Sequence, residues 1–171
     1  GFHTTSPLIY PTSIELLWSD NEGLLGNIEY DSENCAAKFT YIEGKGNAVI
    51  AAKDINGNII WSWHIWCTDK PQIQKYTNSA GTFYVLDRNL GATRADRGTG
   101  DEWKESMGTL YFWGRKDPFG VNIGSSAGET LTIEQTIENP QIRHHTSGWA
   151  HGNTSWMAQH IQKAWNSEQK T

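Results

Sequence analysis

The sequence predicts a β-rich α+β fold: a β-sandwich-like unit over residues 8–70, then a second unit over residues 80–171 that carries two short helices. Three observations carry this reading. Residues 47–66, NAVIAAKDINGNIIWSWHIW, form two β-prone runs about a central Asn56-Gly57. Shorter runs with loosely alternating apolar residues precede them. Helical spacing of apolar residues enters only in the final quarter of the chain.

Taken in order, SIELLW at 13–18 and AAKFTYIE at 36–43 read as strands, the second with the cleaner alternation. Asn56-Gly57 suits a two-residue type I′ hairpin turn, because both central positions of that turn require positive φ. Such a turn places Ala52 opposite Trp61, Ile50 opposite Trp63 and Ala48 opposite Ile65. Small residues then face large ones on one apolar face, which predicts Trp61 and Trp63 as core. The other face pairs Lys53, Ala51 and Val49 with Ile60, Ser62 and His64, a mixed surface expected to be partly wet. Residues 67–82 are polar, hold Pro71 and Gly81 and show no period, so they read as a linker or long connection. A short strand at Phe83–Leu86 enters a charged, Gly-rich loop, and TLYFWG at 109–114 is again strand-like. Alternation there puts Leu110 and Phe112 on one face and Tyr111 and Trp113 on the other, with Arg115, Lys116 and Asp117 as a charged turn that Pro118 and Phe119 pin back. Thr132 with Gln135 marks a helix start that Pro140 ends. Met157, Ile161 and Trp165 form the apolar stripe of a helix beginning near Thr154.

Composition narrows the function. Of 171 residues, 37% are hydrophobic and 19% charged, the balance of a globular chain. The net charge of −5, with Arg115-Lys116 as the one tight cationic pair, excludes nucleic acid, which needs a concentrated basic patch. No apolar run approaches a membrane span. Nine Trp are the anomaly: a few indoles can organise a small core, and indoles also stack on sugars. Solvent-facing candidates for ligand contact are Trp66, Trp103, Trp113 and Trp149. Cys35 and Cys67 stand 32 residues apart, which is no metal spacing; a disulfide and two buried thiols both fit.

Catalytic signatures are missing. His144, His145, His151 and His160 lie near one another in sequence, but adjacent histidines diverge and no HExxH occurs. Asp96, Asp101 and Glu102, with Glu105, form an acidic loop whose spacing is not that of an EF-hand, and Arg94, Arg97 and Lys104 are there to neutralise it. There is no GxSxG, Walker A or dinucleotide fingerprint. Chance pairs of Asp and Glu would satisfy a glycosidase on paper, so they single out nothing. The expectation is a non-enzyme with no cofactor and no bound metal.

GNAVIAAKDINGNIIWSWHIWCTD (46–69), YVLDRNLGAT (84–93), GTLYFWGRKDPFG (108–120) and the IENP before Gln141 together resemble a recurrent module of Bacteroides-type surface proteins, fimbrillin-like and often lipoproteins. The resemblance covers residues 46–171. From about residue 80 the chain also resembles the Fibrobacter-type major paralogous domain, a relative of the C-type-lectin-like fold, with DRNL (87–90) for its ENL and LYFW (110–113) for its LYNW. The cysteine chemistry of the formylglycine-generating enzyme, in the same superfamily, is not carried over, because neither Cys35 nor Cys67 falls in this part. In the family a KTIYDPCPPGWRVP stretch follows the helix corresponding to 154–165, so the resemblance implies a lectin-like unit truncated at Thr171. It implies a non-catalytic cell-surface or fimbria-associated adhesion module. Its partners would be other surface or fimbrial subunits, or glycans. It would lie outside the cell or on the outer-membrane surface, with any lipid anchor on a segment not among these residues. Two alternatives remain: a carbohydrate-binding module using exposed Trp, and a glycan-active hydrolase.

Overall fold

Hydrogen-bonded strands account for most of the regular structure in the computed structural model, which describes residues 10–111 and 116–118. Among the described residues seven strands run in chain order: β1 (Ser13–Ser19), β2 (Leu25–Asp31), β3 (Ala36–Tyr41), β4 (Gly46–Lys53), β5 (Ile59–Cys67), β6 (Ile73–Asn78) and β7 (Gly81–Leu86). A 3₁₀ turn (Gly100–Glu102) leads into one short helix, α1 (Trp103–Met107). Every pairing among these seven strands is antiparallel: a three-stranded sheet in the order β1-β4-β5, and two separate hairpins, β2-β3 and β6-β7. The fold is therefore β-rich α+β. The helices expected at 132–140 and 154–165 lie outside the described residues.

β4 is the central strand and is buried from Gly46 to Ala52 on both faces, which its run of small residues permits. Ala48, Ile50 and Ala52 form one face with Ile14, Leu24 and Leu25, and Ile28, Tyr30 and Ala37 of the β2-β3 hairpin pack against them. Ile50 is 1% exposed and anchors this core. Ile50→Ala is expected to cost about 3 kcal/mol through lost transfer energy and a residual cavity, read as a lower urea midpoint.

The β4-β5 register agrees with the sequence reading at Ala52–Trp61, Ile50–Trp63 and Ala48–Ile65, but the turn does not. Asp54 and Asn58 close a three-residue loop, with Gly57 at φ +84° as the position that requires glycine. The Asp54 carboxylate accepts from the main-chain N–H of Asn56 and of Asn58, both at 2.9 Å. Lys53 then pairs with Ile59, and Ile60 is the surplus residue of a bulge that restores the expected register at Ala52. Ile60 packs against the core cluster, whereas Trp61 and Trp63 are 52% and 37% exposed instead of forming the core. The reason is that β5 is an edge of its sheet, so less protein lies over their face.

Residues 67–82 are not an irregular connection throughout, since β6 lies among them and pairs with β7. Every residue of both strands is exposed, so neither face demanded apolar residues and no alternation arose to be read. β2 was not anticipated either. The thiols of Cys35 and Cys67 are free; Cys35 is exposed and Cys67 packs against the core, where burial pushes its thiol up. No helix among the described residues is long and apolar enough to cross a membrane.

Candidate functional site

The second face of the central sheet carries a buried polar network rather than a wet surface. Across β4 and β5 it sets Asn47 opposite Trp66, Val49 opposite His64 and Ala51 opposite Ser62. The segments after β7 provide its partners: Leu90–Thr93, Gly108–Tyr111 and Lys116–Pro118.

Asn47 is 3% exposed and stands at the centre. Its main-chain N–H donates to Asp20 Oδ1 at 2.6 Å, and its side-chain Nδ2 donates to Asp20 Oδ2 at 2.8 Å and to Gly91 O at 2.9 Å. With both amide protons committed, Oδ1 is the acceptor that faces His64 Nε2 at 2.9 Å. That ring nitrogen must carry the proton. His64 Nδ1 is then the acceptor for the Tyr111 hydroxyl at 3.1 Å, with the two rings edge to face at 6.4 Å. Burial holds His64 below its ordinary value, against a smaller opposing pull from Asp20 and Asp117. Burial likewise raises Tyr111.

A second cluster closes the edge of β5. Asp117 is 8% exposed and accepts from Ser62 Oγ at 2.7 Å. Lys116 Nζ donates to Ser62 O and to Asp117 Oδ1, each at 2.8 Å, and also to Ser62 Oγ. The same ammonium stands 4.8 Å from the centroid of the Trp61 ring, a cation–π contact. Pro118, the next residue, is fully buried.

Backbone geometry ties the DRNLGAT loop to the start of the aromatic segment. Thr109 N donates to Leu90 O at 3.0 Å, and Gly108 has φ +77° and ψ −162°. A Cβ on Gly108 would lie 2.3 Å from Leu90 O, so this crossing requires glycine. Arg88, whose side chain is 4% exposed, donates from Nε to Asp87 at 2.9 Å and from its terminal nitrogens to Asp69 at 3.1 and 3.2 Å. These bonds hold Asp69 and Asp87 below the usual carboxylate range.

Between these loops lies a polar cleft of about 280 Å³, lined by Asp20, Lys45, Asn47, Thr93, Lys104 and Glu105, among others. Its charged groups are largely spent on the fold: Asp20 on Asn47, and Lys45 on Asp69. A wider, shallower groove of about 750 Å³ runs over β2-β3 past Glu29, Lys38 and Phe39, away from the buried network.

The residues singled out by sequence fall in separate places. Trp66 is half-buried, with Nε1 donating to Ala92 O at 3.2 Å, so its polar edge serves the fold. Trp103 opens α1 and is 39% exposed. Asp96, Asp101 and Glu102 sit in the loop and 3₁₀ turn, where Arg94 pairs with Asp96 at 2.5 Å and Glu102 at 3.1 Å, and Lys104 with Asp101 at 3.5 Å. Glu102 also accepts from Thr99 N at 2.7 Å. Trp113, Trp149 and the four clustered histidines lie outside the described residues. Among the described residues no three His, Cys, Asp or Glu gather into a metal-binding group. Sequence reasoning missed Asp20, Asn47 and His64 as a connected set. It also placed inside the core the two exposed indoles, Trp61 and Trp63. No family model matches the chain, and neither a curated protein nor a solved structure is detectably similar to it.

Proposed function

We propose that the chain is a non-catalytic, cell-surface or fimbria-associated adhesion module. On this reading residues 8–70 form a β-sandwich-like unit and residues 80–171 a C-type-lectin-like unit, as the fimbrillin-like and major paralogous resemblances imply. The module works outside the cell or on the outer-membrane surface. The observation that carries the proposal is the pair of indoles on one face of β5, Trp61 and Trp63, at 52% and 37% exposure. The ionisable groups nearby are held in bonds that serve the fold: His64 between Asn47 and Tyr111, Asp117 between Ser62 and Lys116. Recognition groups are thus left facing solvent while acid–base groups are tied down, the arrangement of a binding surface rather than a reaction centre.

A glycan is the second reading within this one. Residues two apart on a strand project to the same face roughly 6.8 Å from each other, a distance that suits stacking on neighbouring sugar rings. The Lys116 ammonium over Trp61 restrains that ring before any ligand arrives.

The test is a glycan array, with and without calcium, beside direct binding to other surface and fimbrial subunits. Saturable binding to one of these is expected. Trp61→Ala with Trp63→Ala should weaken it at least about tenfold in protein that still unfolds cooperatively in urea, a control that matters because Trp63 is only 37% exposed. Turnover on glycoside or peptide substrates would overturn the non-catalytic reading. Undiminished binding by the double variant would remove the indole pair from the site.

A further inference from the structure

We propose that Asp20, Asn47, His64 and Tyr111 form an acid-sensitive latch that holds the Gly108–Tyr111 segment on the β4-β5 face.

Each link has a single assignment. Asp20 accepts hydrogen bonds from the main-chain N–H and the side-chain Nδ2 of Asn47, Gly91 O accepts the second Nδ2 bond, and Asn47 Oδ1 is left to accept from His64 Nε2. His64 therefore offers Tyr111 a bare Nδ1, and the hydroxyl donates to it at 3.1 Å. Protonating the ring places a second N–H where that lone pair was. The Tyr111 hydroxyl must then turn its own proton away, and a full positive charge enters a face floored by Val49, which is 0% exposed. Two carboxylates face the ring, Asp20 from the β1-β2 connection and Asp117 from beyond Tyr111. Both are committed, Asp20 to Asn47 and Asp117 to Ser62 and Lys116, so neither meets the imidazolium directly. Asn47 from β4 brings no charge, and the Lys116 ammonium beside Asp117 opposes a second cation. The balance is against the charged ring.

The direction in pH follows. A histidine held below its ordinary 6.5 in the folded state contributes stability that is complete above that value. The contribution is lost as pH falls from there through the lower folded value. The depressed carboxylates Asp54, Asp87 and Glu102 give up theirs only in more acidic solution, below about pH 4. Mild acid thus addresses His64 before any of them.

Two measurements test the latch. Nitrogen-15 spectra of the His64 ring at pH 8 should show the Nε2–H tautomer. Amide protection at Thr109, Leu110 and Tyr111 should fall about fivefold or more between pH 7.5 and 5.5, after correction for intrinsic exchange. In His64→Gln that pH dependence should vanish. In Tyr111→Phe the same amides should be weakly protected at both pH values, which keeps the test open if the glutamine variant does not fold. An Nδ1–H tautomer, flat protection in the native chain, or an unchanged pH response in His64→Gln would each overturn the proposal.

Discussion

Replacing Asn47 with alanine is expected to lower the free energy of unfolding by about 3 kcal/mol, with an unchanged slope in urea. The side chain is small and its transfer term slight. The cost lies in what is left behind: Asp20 Oδ2 and Gly91 O lose a donor, and His64 Nε2 loses its acceptor. All of this happens at a position 3% exposed, where water is poorly placed to substitute. Asn47→Asp should be worse despite its matching shape, because it turns two donors into acceptors and sets a carboxylate against Asp20. Urea unfolding of both variants at pH 7.5 gives the order directly. Alanine ranking below aspartate would mean that shape, not hydrogen bonding, is what this position supplies.

Gly108→Ala should cost about as much, roughly 3 kcal/mol, by a different route. At φ +77° and ψ −162° the backbone occupies a region open essentially to glycine alone, and the added methyl would meet Leu90 O at 2.3 Å. Relief requires Leu90 and Thr109 to separate, which breaks the 3.0 Å bond between them. A lower urea midpoint should therefore come with faster exchange of the Thr109 amide. The β4-β5 hairpin turn supplies a contrast: Gly57 also has positive φ, but a Cβ there would meet nothing within 4 Å.

The pattern of success along the chain has a physical basis. The β4-β5 hairpin was legible because two signals coincide there, a glycine where positive φ is needed and small residues facing large ones. What they could not reveal was the bulge, since a surplus Ile60 changes the count without changing the composition. β6 and β7 were half hidden for the opposite reason. A hairpin exposed on both faces needs no hydrophobic period, so Lys75, Tyr76 and Thr77 read as connection. The network around Asn47 was illegible in principle. Its partners lie 27 and 44 residues away in sequence, and a polar residue on a strand looks the same whether it meets water or a distant carboxylate. Tyr111 shows the limit most plainly. Alternation separated it from Leu110, but nothing local pointed to the imidazole of His64, 47 positions earlier.

The bulge at Ile60 bears on how this hairpin can change over time. Pairing from Gly46 to Ala52 with Trp61 to Cys67 follows one frame, and pairing of Lys53 with Ile59 another. The extra residue is the joint between them. A one-residue deletion there, or a switch to a two-residue turn, would let the outer frame run straight through, and both indoles would keep their side of the sheet. Insertions and deletions at the tip can thus accumulate in a lineage while the surface bearing Trp61 and Trp63 is inherited intact.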